Sequence, residues 1–153
     1  MNWFKRKFLN RIEIRVKLVH PNAQMPTRAY QDDAGTDVYA IDNVYIPARD
    51  KKLVGTGLAL EIPSGWHMQI HTRSSYSKKH LRCHIGIVDT GYRNEVKVMI
   101  FNDGVEDFIV KKGEKFCQLI FLPVPQIDFI ESDKLNESER GLSGFGSSDK
   151  EGK

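Results

Sequence analysis

The sequence predicts one all-β domain, a sandwich or barrel, on three observations. Apolar residues recur with period two, the runs are short and rich in β-branched and aromatic side chains, and glycine, proline, asparagine and aspartate stand between them. A chain of 153 residues with 40% hydrophobic content is long enough to bury one core and leaves little room for a second domain.

Taken in order, Ile12, Ile14, Val16 and Leu18 fall on one side of a first strand, with Glu13, Arg15 and Lys17 on the other. Further strands are expected over residues 38–41, 44–46, 58–62, 66–71, 96–101, 108–110, 116–122 and 127–130. Turn chemistry separates them at Pro47, Pro63-Ser64-Gly65, Asn102-Asp103-Gly104, Lys112-Gly113 and Pro123. The best helix candidate runs over 74–80, where a serine can cap a turn or two, too short to alter the class. From about Glu131 the composition turns polar and charged. The expected organisation is a basic leader over 1–11, a β domain over 12–136 and a mobile C-terminal arm over 137–153.

Composition narrows the partners. A net charge of +3, with basic residues scattered among acidic ones outside the leader, does not argue for direct nucleic-acid binding, while a polyanionic small ligand remains compatible. Cys83 and Cys117 form no CxxC pair and no zinc spacing, so both read as reduced thiols of a cytoplasmic protein, with Cys117 packed inside. No apolar run is long enough to span a membrane, and the leader lacks the apolar centre of a signal peptide. That leader reads as a frayed terminus, with contact to an anionic surface or a partner as the alternative. His67, His71, His80 and His84 read as surface or core residues, because no cysteine or carboxylate completes a metal set.

Three segments carry candidate chemistry. Arg140-Gly141-Leu142-Ser143-Gly144-Phe145-Gly146-Ser147-Ser148 puts a guanidinium, hydroxyls and an aromatic face on a glycine-rich backbone. That combination suits a nucleoside polyphosphate, and equally suits a flexible tail that binds nothing. Arg73-Ser74-Ser75 offers a fork, two hydroxyls and main-chain N–H groups, or simply an exposed loop. The stretch from Gly86 to Glu95 ends an apolar strand on Asp89, beside a glycine turn and Tyr92. It can hold a general base against water and a ring against a sugar, or it can be an ordinary hairpin.

Taken together, these segments resemble the trimeric dUTPases, the deoxyuridine triphosphate nucleotidohydrolases, from about Ile12 to Ser148. Five motifs of that family appear in order: Ala34-Gly35-Thr36-Asp37, Arg73-Ser74-Ser75, Gly86 to Glu95, Lys112 to Leu119, and Arg140 to Ser148. The resemblance implies a distorted jelly-roll, or β-clip, domain that assembles as a homotrimer. It implies a dUTP diphosphatase that yields dUMP and pyrophosphate, keeping uracil out of DNA and supplying dUMP for thymidylate synthesis. Asp89 would activate the water that attacks the α-phosphorus. Mg²⁺ would be held mainly by the triphosphate, with Asp37 orienting its hydration shell or the site through water. Arg73, Ser74, Ser75 and Gln118 would contact phosphates, and Arg140, Gly146, Ser147 and Ser148 would close over them with Phe145 stacked on uracil. The backbone of Cys83, Gly86, Ile87 and Val88 would pair with the uracil edge, Tyr92 would lie under the deoxyribose, and Lys97 would touch substrate. Each site would draw its third motif from a neighbouring subunit and its fifth from the remaining one.

The chain departs from the family pattern at several places. Thr72 stands for a usual proline, Gly91 for a frequent aspartate, Asn94 for a common glycine, Cys83 for an asparagine of some relatives, and Glu114-Lys115 for Asp-Arg. Two rivals follow. A dCTP deaminase shares the fold and an Arg-Ser-Ser segment, but needs a glutamate that the stretch Val96 to Asn102 lacks. A nucleotide sensor would keep the pocket without turnover, and only the basic leader speaks for it.

Overall fold

The computed structural model describes residues 11–139 and 141–142, and these form ten strands and one helical turn. The strands are β1 (Arg15–Leu18), β2 (Thr36–Tyr39), β3 (Val44–Ile46), β4 (Lys51–Glu61) and β5 (Trp66–Thr72). After α1 (Ser74–Ser77) come β6 (Leu81–Cys83), β7 (Ile87–Val88), β8 (Glu95–Asn102), β9 (Phe108–Val110) and β10 (Lys115–Pro123). One sheet runs β1-β4-β8-β6, a second β2-β10-β5-β7, and β3 pairs with β9 in a ribbon. Every ladder is antiparallel. This is the all-β class the alternation predicts.

The two larger sheets enclose one core. Val96, Val98 and Ile100 of β8 are buried while Lys97 between them is exposed, which is the period-two pattern made physical. Val54, Leu58 and Leu60 from β4 join them, facing Val38, Met68, Ile70, Cys117 and Leu119 from the second sheet. Phe116 and Tyr76 are the largest side chains completely enclosed. Burying such side chains, at about 1.5–3 kcal/mol each, is what holds sheet to sheet.

β1 starts at Arg15 rather than Ile12, β6 lies outside the expected strands, and four further elements differ from expectation. β4 begins at Lys51 rather than near Leu58, because Gly55-Thr56-Gly57 is a bulge within the strand instead of a break before it. Gly57 sits at φ +66 with its Cα facing Ala23 and His20, where a Cβ would come within 2.6 Å of another. Thr56 stabilises the bulge from inside, its hydroxyl donating to Val96 O at 2.6 Å and accepting from Leu58 N at 3.2 Å. β2 starts at Thr36, so Asp37 stands on a strand. The helix lasts only from Ser74 to Ser77, and Arg73, not a serine, occupies its N-cap position without a side-chain cap. Residues 127–130 form no strand: Val124 N donates to Gly65 O at 2.8 Å, and beyond it the apolar alternation finds no ladder among the described residues.

Candidate active site

One group of site residues grows from β2, β10 and the end of β5. Gln118 lies opposite Asp37 on one side and His71 on the other, and opposed residues in an antiparallel ladder share a face. Arg73 leaves β5 directly above them. Its Nε lies 2.9 Å from Asp37 Oδ1, and Nη1 donates to Lys115 O at 2.8 Å. Lys115 Nζ takes the other carboxylate oxygen at 3.1 Å. The arrangement aims a fixed guanidinium whose second terminal nitrogen has no partner among the described residues, the geometry in which arginine grips a phosphate. Gln118 Nε2 donates to Thr72 O at 3.3 Å, while Ser74 and Ser75 stand exposed at the start of α1.

A second group lies on the connection from β7 to β8. Gly86, Val88, Asp89, Tyr92 and Lys97 line a cleft of about 460 Å³, with Ile87 at its rim and Ile70 and Val96 behind. β7 is laid against β5 by Met68↔Val88 and Gln69↔Ile87, which delivers Asp89 at a strand end. Thr90 Oγ1 donates to Trp66 O at 2.9 Å and Tyr92 N to Asp89 O at 3.1 Å, closing a tight turn. The Tyr92 hydroxyl donates to Glu95 O at 2.9 Å, which fixes its ring beside the cleft. Lys97 is held at 3.4 Å by Glu95, whose other oxygen accepts from Gly57 N at 3.0 Å. The Asp89 carboxylate itself is exposed and engages no side chain among the described residues, so it is open to a water.

No hydrogen bond or ion pair among the described residues joins Asp89, Tyr92 or Lys97 to Arg73, Ser74, Ser75 or Gln118. Cys83 ends β6, its N–H donates to Thr72 Oγ1 at 2.8 Å, and its side chain is buried beside Cys117. The bond with Cys117 holds the Cys83 thiol below its usual range against the opposing push of burial, with Thr72 adding to the lowering, whereas burial above all raises Cys117. Arg140, Phe145, Gly146, Ser147 and Ser148 lie outside the described residues.

A dUTPase family model matches residues 21–149. The chain belongs to the dUTPase family. A deoxyuridine 5'-triphosphate nucleotidohydrolase of Nautilia profundicola is 37% identical over 142 residues, which cover 91% of this chain and all of the relative. One from Clostridioides difficile is 39% identical over 137 residues, 88% of this chain and 96% of the relative. Among solved structures, the Staphylococcus bacteriophage 80alpha dUTPase with dUPNHPP superposes with a TM-score of 0.84 at 28% identity, covering 89% of this chain and 98% of that one. A mutant dUTPase from S. aureus phage phi11, described for its structural Mg(II) ion, shares the fold at a TM-score of 0.78 and 23% identity, covering 82% of this chain and 100% of that one.

In this dUTPase the described residues contain no group of three or more histidine, cysteine, aspartate or glutamate residues able to cage a metal. Both Asp37 oxygens are engaged by cations, Oδ1 by Arg73 and Oδ2 by Lys115. His67 and His71 flank Gln69, whose amide contacts their Nε2 atoms at 3.2 and 2.9 Å. Lys115 and Thr72 carried no expected role. Strict alternation along β10 would put Lys115 on the face opposite Gln118. The register shift between Lys115 and Cys117 brings both to the Asp37 side, with Lys115 opposite Tyr39. A bulge of this kind leaves no spacing signal.

Proposed function

We propose that this dUTPase acts as a homotrimer whose active sites each join the Arg73–Gln118 patch of one subunit to the Asp89 cleft of a neighbour and the C-terminal arm of the remaining one. The enzyme hydrolyses dUTP to dUMP and pyrophosphate, which keeps uracil out of DNA and supplies dUMP for thymidylate synthesis. The observation that carries the divided site is the separation of an exposed, unengaged carboxylate beside a nucleoside-sized cleft from a rigid cationic patch that lacks a base of its own. Subunit contact also gives the exposed apolar surface a purpose. Ile127, Phe129 and Ile130 are 65%, 95% and 87% exposed. A second apolar cleft, of about 490 Å³, is lined by Ile12, Ile14, Val16, Trp66 and Phe121. A strand that pairs only with a neighbour explains why 127–130 carries a strand pattern without a ladder.

In the proposed mechanism Asp89 accepts a proton from the water that attacks the α-phosphorus. A bond forms from the water oxygen to that phosphorus, and the bond to the α,β-bridging oxygen breaks, releasing pyrophosphate. Arg73, Gln118 and the hydroxyls of Ser74 and Ser75 hold phosphate oxygens, with Asp37 keeping Arg73 aimed. Mg²⁺, carried by the triphosphate and its waters, supplies charge neutralisation when bound; Asp37 would reach it only through water. Backbone groups of Cys83 and Gly86 to Val88 read the uracil edge, Tyr92 excludes a ribose 2′-hydroxyl, and Lys97 contacts substrate. Arg140, Gly146, Ser147 and Ser148 close over the β and γ phosphates, with Phe145 on the base. No helix among the described residues is long and apolar enough to cross a membrane. The two free buried thiols support a cytoplasmic setting.

Incubation with dUTP, dTTP, dCTP or UTP in the presence of Mg²⁺ tests the reading. Pyrophosphate is expected from dUTP and, at much lower rates, from the others. Ammonia from dCTP would move the assignment to a deaminase, and dUTP binding without pyrophosphate would move it to a sensor.

A further inference from the structure

We propose that Thr72 is a positioning residue for base discrimination, because its hydroxyl pins the start of the segment proposed to read uracil to the turn proposed to bind phosphate. The inference rests on that assignment of the two regions. β6 is the edge strand of its sheet. His84 N donates inward to Met99 O at 2.9 Å, so alternation turns the Cys83 N–H outward, toward the open edge. Cys83 is only 4% exposed, which leaves that N–H away from bulk water. The Thr72 hydroxyl accepts it at 2.8 Å. Thr72 is also the last residue of β5, lies opposite Cys117, receives Gln118 Nε2 on its carbonyl at 3.3 Å and is followed by Arg73. One residue therefore sets both a phosphate-side amide and the first peptide of the base-side segment.

The rest of that segment is held by main chain alone. Ile70 N donates to Gly86 O at 3.0 Å, and β7 pairs with Met68 and Gln69. Among the described residues, Thr72 is the one side chain that hydrogen-bonds the main chain of residues 83–88. When a base is recognised by backbone donors and acceptors, discrimination depends on where the peptide planes stand. A wrong base is rejected because it leaves buried polar groups unpaired, and a segment free to shift re-pairs with it. Thr72 is also one of the places where this chain departs from the pattern it otherwise resembles.

The test compares Thr72→Val, which keeps the shape and loses the hydroxyl, with Thr72→Ser, which keeps the hydroxyl and loses the methyl. The ratio of kcat/KM for dUTP to that for dCTP is expected to fall about tenfold or more in the valine variant and to stay within about twofold of the parent in the serine variant. A purely structural role would lower both substrates together and leave the ratio unchanged, and that result overturns the proposal. Equal loss of the ratio in both variants also overturns it, since the methyl would then be responsible. If Thr72→Val does not fold, amide exchange on the parent protein decides. The Cys83 N–H is expected to exchange slowly, and exchange at the rate of a free amide would sink the idea. A parent enzyme that does not prefer dUTP would instead refute the functional reading beneath the inference.

Discussion

Asp37 serves two cations at once, and this shapes what its loss should do. Arg73 Nε and Lys115 Nζ approach separate oxygens of one carboxylate whose side chain is 14% exposed. In Asp37→Asn the two cations face each other without a counter-charge, and Arg73 keeps only its bond to Lys115 O. We expect kcat/KM for dUTP to drop about 10- to 100-fold, the kinetic equivalent of the roughly 1.5–3 kcal/mol of a charge-assisted hydrogen bond. Gly35 offers a cleaner separation of activity from stability. A Cβ there would lie 2.1 Å from Gln118 Oε1, the movable end of a flexible side chain. Gly35→Ala should therefore displace the Gln118 amide from Thr72 O and impair turnover, while thermal unfolding shifts by no more than about 0.5 kcal/mol. Asp89→Asn keeps size and loses basicity. Its kcat should fall by about 10²–10⁴ with dUTP affinity, read by calorimetry, nearly unchanged. Weak binding by that variant would make Asp89 a binding group instead of a base.

At the scale of elements, the strands whose faces differ in polarity were legible in the sequence and the irregular ones were not. β8 alternates cleanly because one face is core and the other solvent, so its limits and its exposed Lys97 follow from pattern. The first half of β4 was hidden by Gly55-Thr56-Gly57, since glycine signals a turn and a bulge alike. The strand expected at 127–130 does not form among the described residues, because alternation records only that a face is apolar, not that a neighbouring strand is there to pair with it. Within the candidate site, Arg73 and Asp89 stood out through chemically dense motifs, and Gln118 only through the family resemblance. Lys115 did not, because a bulge sets its side, and Thr72 did not, because its partner lies eleven residues away across two sheets. The β3–β9 ribbon carries a prediction of its own. The Tyr45 hydroxyl donates to Asp107, and Ala48 N donates to Asp107 Oδ1 at 2.9 Å. The tyrosine bond first, then the backbone bond, hold the Asp107 carboxyl below the usual carboxylate range. A lowered carboxyl contributes stability above its unfolded value and loses it as pH falls through the folded one. The melting temperature of Asp107→Asn should accordingly lie below that of the parent near neutrality, and the gap should close below about pH 4. A gap independent of pH would mean that the ribbon does not depend on the charge.

At the scale of the molecule, the described residues hold two groups that no hydrogen bond or ion pair joins: the Arg73–Gln118 patch, whose carboxylate Asp37 is engaged by two cations, and the cleft of Lys97 and the unengaged Asp89. If sites are completed across subunits, two differently damaged chains can repair one another. Asp89→Asn lacks the base but retains its arm, whereas a chain ending at Asn136 lacks the arm but retains the base. The truncated chain alone should fold and assemble, since the core ends with β10, and should turn over very little dUTP. Unfolded together and refolded at equal amounts, the two should regain activity, because random assembly leaves roughly a quarter of sites with a working base from one chain and a working arm from another. Mixed without refolding, they should stay inactive if the trimer exchanges subunits slowly. Activity that never rises above the sum of the separate variants would mean that base and arm come from the same chain, and sedimentation at the mass of one 17.5 kDa chain would exclude a shared site altogether.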